Sequence, residues 1–133
     1  MRYPRVCVLA IALVAMTGMP AAAHHSFSAE FDITKPVTLV GTVTKLEWTN
    51  PHAYVYVDVA DAQTGAVTNW AIEMGSPNGL TRLGWTRNIL KPGDGVTIEG
   101  SLGRVKANLA NARSIVMTAT GRKLSAASSE GTP

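Results

Sequence analysis

The chain of 133 residues carries 12 Lys+Arg against 9 Asp+Glu, a formal net charge of +3, and one cysteine. Arg2, Arg5 and Cys7 all lie in the first seven residues, so the remainder holds ten basic against nine acidic side chains and no thiol. That balance excludes a disulfide-stapled scaffold, and it leaves no basic stripe able to neutralise several phosphates, which argues against nucleic acid as a partner.

The N-terminus reads as an export signal. Met1–Arg5 is positively charged, Val6–Met16 is an apolar run of 11 residues, and Thr17–Ala23 ends in Ala21-Ala22-Ala23. Small residues at Ala21 and Ala23 suit a signal peptidase, placing cleavage before His24. The apolar run is shorter than the roughly 20 residues a membrane span needs. The expectation is therefore a periplasmic or secreted protein, with residues 1–23 as signal peptide and no membrane association afterwards. The remaining 110 residues suit one small monomeric domain with one core.

His24–Pro36 reads as a lead-in segment that Phe27 and Phe31 can pin to the body. Val37–Trp48 is rich in β-branched residues. Val37, Leu39 and Val43 share one phase of a period-two pattern, while Leu46 and Trp48 share the other, so the strand is expected to carry a bulge or bend. Gly41 suits a close backbone approach. After a Thr49–His52 turn, Ala53–Ala60 alternates clearly: Ala53, Val55, Val57 and Val59 on one face, Tyr54, Tyr56 and Asp58 on the other. Asp61–Gly65 is a hairpin loop, and Val67–Met74 a third strand.

Ser76-Pro77 starts a short helix, with serine as cap and proline at the first position. Leu80 and Leu83 form its apolar face and Gly84 stops it. Lys91–Gly95 is a turn, Val96–Ser101 a fourth strand, Gly103–Asn111 a loop, and Ala112–Thr118 a fifth strand. Small polar residues dominate from Gly121, so 125–133 reads as a disordered tail. The order β-β-β-α-β-β predicts an all-β fold with one short helix: a five-stranded OB-type Greek-key barrel over residues 37–124. A small β-sandwich is the rival architecture.

Three stretches together carry a resemblance: His24-His25-Ser26-Phe27, Glu47-Trp48-Thr49-Asn50-Pro51-His52-Ala53, and Gly84-Trp85-Thr86-Arg87 followed by Lys91-Pro92-Gly93-Asp94. With them the chain resembles a group of small secreted bacterial proteins classed as a domain of unknown function, from His24 to about Leu124. The resemblance implies an exported β-rich domain and carries no established activity, substrate or ligand. More loosely, the strand order is similar to that of small periplasmic OB-fold proteins linked to stress tolerance, a likeness of fold alone.

Two constellations carry chemistry. After cleavage, His24 supplies a free amine beside its imidazole and grips a metal twice; His25 or His52 adds a second ring. Copper favours such nitrogen donors, whereas a closed zinc site requires a fourth ligand, for which Glu30 or Asp32 are the available carboxylates. The bland alternative is that the histidines are incidental and His52 caps a turn. Trp48, Tyr54, Tyr56 and Trp70 form a candidate ligand-binding face on strands two and three, against the alternative that the tryptophans are core and the tyrosines cover the sheet.

The remaining candidates have structural explanations. Glu47, Asp58 and Glu73 lack the paired spacing of glycoside chemistry and fit polar outward positions. Ser76 lacks a nucleophile-elbow pattern. Arg82 and Arg87 are solvated or pair with Glu73 or Asp94, and Gly93 and Gly95 serve a turn. The expected function is an exported binding or accessory protein, not an enzyme, coordinating copper through His24. The alternative is a metal-independent module that binds a small molecule, saccharide or protein partner on the aromatic face.

Overall fold

The computed structural model describes residues 27–130; the expected signal segment, His24 and His25 lie outside them. The protein is mostly β, in the order α1 (Phe27–Glu30), β1 (Phe31–Glu47), β2 (Tyr54–Ala60), β3 (Val67–Glu73), α2 (Pro77–Arg82), β4 (Gly95–Gly103), β5 (Leu109–Met117) and β6 (Lys123–Ser125). The expected order thus gains a one-turn helix at the front and a sixth strand at the back. The sheet runs β3-β2-β1-β4-β5-β6, and a parallel pairing of β3 with β5 joins its far strands. The pairings β1–β2–β3–β5–β4–β1 therefore form a closed circuit, with β6 outside it on β5.

The 17-residue β1 makes that circuit possible. It pairs with β4 from Phe31 to Thr42 and with β2 from Thr42 to Glu47. Its register slips against β2 between Val43 and Lys45, which explains the change of phase between Val43 and Leu46: the extra residue turns later side chains over. At Gly41 an added Cβ would lie 2.7 Å from the Val57 side chain and against the Asp58 carbonyl. Only glycine admits that crossing.

The expected start of this strand at Val37 is corrected to Phe31. Pro36 sits inside β1 at a second irregularity, between Asp32 and Pro36, where a missing N–H is tolerated. Phe31 is 1% exposed and touches Phe27, their ring centroids 5.4 Å apart, so the end of the lead-in belongs to the packed body.

Ala53, Val55, Val57, Ile72, Val96, Ile98 and Ile115 fill the core. Ser76 caps α2, its Oγ accepting the Gly79 N–H at 3.1 Å, and Gly84 ends the turn at φ +89°. Pro77 and Leu80 are buried, but Leu83, expected beside Leu80, is 47% exposed, because it falls at the C-cap, just past the last helical residue. Trp85 is buried beyond α2, and its indole N–H donates to the Ser125 carbonyl at 2.7 Å.

Two loop assignments also change. The predicted 103–111 loop is shorter, because Leu109, Ala110 and Asn111 already belong to β5 and pair with Ala71, Ile72 and Glu73. Residues 125–130, expected to be disordered, lie against the body. Ala126 is fully buried, donates to the Arg113 carbonyl at 2.9 Å and accepts from Gly75 N–H at 2.8 Å. Small side chains here fit a narrow slot instead of signalling the absence of packing. Among the described residues no helix is long and apolar enough to cross a membrane.

Candidate functional site

The first residue of β2 and the last of β3 are register partners, which places Tyr54 beside Glu73 on the outer face. The ladder continues beyond both strands: Ala53 N–H donates to Gly75 O at 3.0 Å, and Met74 N–H to Ala53 O at 2.9 Å. This extension carries His52 to the same corner. There its Nδ1 lies 3.2 Å from the Met74 carbonyl oxygen and 3.4 Å from Glu73 Oε1.

A backbone carbonyl can only accept, so a hydrogen bond at the Met74 contact requires the proton on Nδ1. In the neutral ring the lone pair is then on Nε2. The His52 side chain remains 39% exposed, so the ring has access to solvent while one nitrogen is committed to the protein.

Glu73 is the unusual member of the corner. It is 4% exposed, and among the described residues no lysine or arginine pairs with it. Tyr54 donates its hydroxyl to Oε2 at 2.6 Å, and Asn111 Nδ2 stands 3.5 Å from Oε1. Burial pushes the Glu73 carboxyl above its ordinary range, and repulsion from Glu30 adds to that. The Tyr54 hydrogen bond, the charge on His52 when it is protonated, and the Asn111 contact pull the other way. Burial, followed by the hydrogen bond to Glu73, pushes the Tyr54 phenol well up.

The polar chain continues away from His52. Ser128 Oγ donates to Asn111 Oδ1 at 2.7 Å and accepts Glu130 N–H at 3.1 Å. Glu130 pairs with Arg113 at 3.0 Å. Glu30, whose repulsion reaches both Glu73 and Tyr54, also lines an open cleft of about 350 Å³ with Ala29, Val105, Lys106 and Leu109.

The four aromatics divide. Tyr54 and Tyr56 stack outward with centroids 6.4 Å apart. Tyr56 donates to Glu47 Oε2 at 3.0 Å, and Lys45 Nζ lies 3.3 Å from the same oxygen and 5.4 Å from the Tyr56 ring. Trp48 and Trp70 instead pack, partly buried, against the core; Trp70 is the register partner of Val57. Asp58 accepts from Asn69 Nδ2 at 2.8 Å. Asp32 is held by Thr34 and Arg104. Arg82 and Arg87 are exposed and form no ion pair with Glu73 or Asp94 among the described residues.

The structure therefore brings His52, Tyr54 and Glu73 together and separates the tyrosines from the tryptophans. Sequence reasoning took Glu73 for a solvated outward residue and gave no role to Asn111 or Ser128. The facing positions of Tyr54 and Glu73 were legible once β2 and β3 formed a hairpin, but their burial was not. Among the described residues no group of three or more His, Cys, Asp or Glu side chains is arranged to hold a metal ion.

A family model, the family of unknown function DUF6152, matches residues 11–110. The chain belongs to this family. No curated protein shows significant sequence similarity to it. Among solved structures, it is similar to the mitochondrial single-stranded DNA-binding protein Rim1 of S. cerevisiae, at 13% identity and a TM-score of 0.47, covering 63% of this chain and 93% of that one.

Proposed function

We propose that this member of the family is an exported periplasmic or secreted accessory protein of OB-type barrel fold that coordinates copper through His24, with His52 or His25 supplying a further ring. The observation that carries the reading is the fixed ring of His52. With Nδ1 donating to Met74 O and facing Glu73, Nε2 is left as a nitrogen donor at a half-exposed corner. The closed circuit of β1, β2, β3, β5 and β4 supports the five-stranded Greek-key barrel.

Chain connectivity supports the pairing of His52 with the mature N-terminus. Glu30, at the end of α1, acts electrostatically on Glu73 and Tyr54. Phe27, at its start, is three residues from His24, a span of about 10 Å at most. An amine and ring nitrogen from His24 with Nε2 of His52 make a three-nitrogen set, which suits copper better than the four-ligand tetrahedron of structural zinc.

The test is copper titration by calorimetry on exported protein whose start at His24 has been confirmed by intact mass. The control carries one extra N-terminal alanine. Tight one-to-one binding that the alanine strongly weakens supports the reading; equal weak binding in both defeats it. A second reading, metal-independent binding of a saccharide, small molecule or protein partner, is favoured by the outward Tyr54–Tyr56 stack. It predicts binding indifferent to the alanine and sensitive to Tyr56→Ala.

A further inference from the structure

We infer that Glu73 is a positioning residue for His52: its carboxylate stands behind the ring, holds the proton on Nδ1 and turns Nε2 outward as the metal-binding nitrogen. The inference rests on the copper reading above but makes a separate claim about the apo protein.

Two contacts meet at Nδ1, Met74 O at 3.2 Å and Glu73 Oε1 at 3.4 Å. The carbonyl can fix which nitrogen is protonated. The carboxylate adds negative charge behind the ring, which raises the electron density available at Nε2. This arrangement of carboxylate, imidazole and metal is a general way to orient a histidine ligand, and loss of the outer carboxylate typically costs about 10- to 100-fold in metal affinity.

Glu73 is itself held in place. Tyr54 donates to its other oxygen at 2.6 Å, and Asn111 approaches Oε1 from β5 at 3.5 Å. Asn111 is in turn fixed by Ser128 at 2.7 Å. The short Tyr54 bond thus directs one carboxylate oxygen away from the ring and leaves Oε1 facing Nδ1. A residue serving only the fold would not need to be a carboxylate here: no cation of permanent charge pairs with Glu73 among the described residues, and a neutral amide of the same shape would keep the Tyr54 bond.

The experiment uses the full exported chain and its Glu73→Gln variant, with two readouts. The first is the proton–nitrogen correlation spectrum of the histidine rings in metal-free protein, with the His52 signals assigned through His52→Gln. The second is copper(II) affinity by competition titration. The inference expects wild-type His52 in the Nδ1–H form, a weakened bias towards that form in Glu73→Gln, and a copper affinity about 10- to 100-fold lower in the variant.

A wild-type ring protonated mainly on Nε2 overturns the inference, whether or not the variant folds. So does a Glu73→Gln variant whose His52 spectrum and copper affinity both match wild type, since Met74 alone would then hold the ring. If His52→Gln leaves copper affinity unchanged, the copper reading fails in its His52 form. The metal-free spectra then decide the positioning claim alone: a ring altered by Glu73→Gln upholds it, and an unaltered ring overturns it.

Discussion

Glu73→Gln should make the metal-free protein more stable. At 4% exposure the carboxylate has lost nearly all its water, and the effective cost of removing such an ion from water is several kcal/mol. One short hydrogen bond compensates, from Tyr54 at 2.6 Å, and a bond to a charged group contributes about 1.5–3 kcal/mol. The His52 and Asn111 contacts, at 3.4 and 3.5 Å, lie at the long limit of hydrogen bonding and add little. Glutamine keeps the shape and the Tyr54 bond at neutral strength, about 1 kcal/mol, without the cost of desolvating a charge. The expected net gain is about 1 kcal/mol, at the low end of what is seen when a buried ion pair is replaced by well-packed hydrophobic residues of similar volume. For a domain of this size that raises Tm by about 4 °C. Urea unfolding of both proteins at neutral pH, with the slope checked for equality, measures it. A variant less stable than wild type by more than about 1 kcal/mol would refute the reasoning, because the His52–Glu73 pair would then be a net brace for the fold.

Three further outcomes follow from the fold. Trp85→Phe removes the indole donor to the Ser125 carbonyl and should cost about 2 kcal/mol by thermal unfolding, with earlier proteolytic cleavage after β6 than in wild type. Gly100→Ala places a Cβ against the Asn111 backbone, where β4 slips against β5 between Glu99 and Gly100; the loss should be about 3 kcal/mol or more, and a stability within 1 kcal/mol of wild type would contradict that packing. Asp61 accepts from the N–H groups of Gln63 and Thr64 and from the Thr64 hydroxyl, which hold its carboxyl below its ordinary value of 3.8. The folded state therefore binds that proton less tightly than the unfolded state. Its contribution is present above pH 3.8 and fades as pH falls through the depressed value. The stability difference between wild type and Asp61→Asn, followed by urea unfolding from pH 6 to 2, should shrink on acidification.

The parts of the fold that were legible in the sequence obey local rules. Alternation placed Ala53, Val55 and Val57 inside. Ser76 and Pro77 marked the start of α2, and the change of phase after Val43 marked a bulge. The parts that were not legible depend on distant partners. Pro36 reads as a boundary by its own chemistry, yet β4 accepts it at an irregularity. Leu109–Asn111 has little pattern because all three pair with β3 on one edge, and Ala110 and Asn111 also pair with β4 on the other. Ser125–Glu130 lacks large apolar groups, but Gly75 opens a space that Ala127 occupies and donates its N–H to the Ala126 carbonyl.

The burial of Glu73 arises from the same kind of convergence. Its own strand puts it on the outer face, where period-two reasoning assigns it to solvent. It is enclosed because β5 brings Asn111 alongside in parallel register, the segment after β6 brings Ser128 onto Asn111, and α1 ends with Glu30 close enough to repel it. These elements come from both ends of the described chain, far from Glu73 in sequence. A fold free to choose would put an amide or an apolar group at such a point, since it gains little from an ion there. The carboxylate instead faces His52, the one histidine among the described residues, whose Nδ1 also meets the Met74 carbonyl. That placement ties a buried carboxylate of the outer face to the chemistry proposed for His52, and it makes Glu73→Gln the substitution that separates stability from binding.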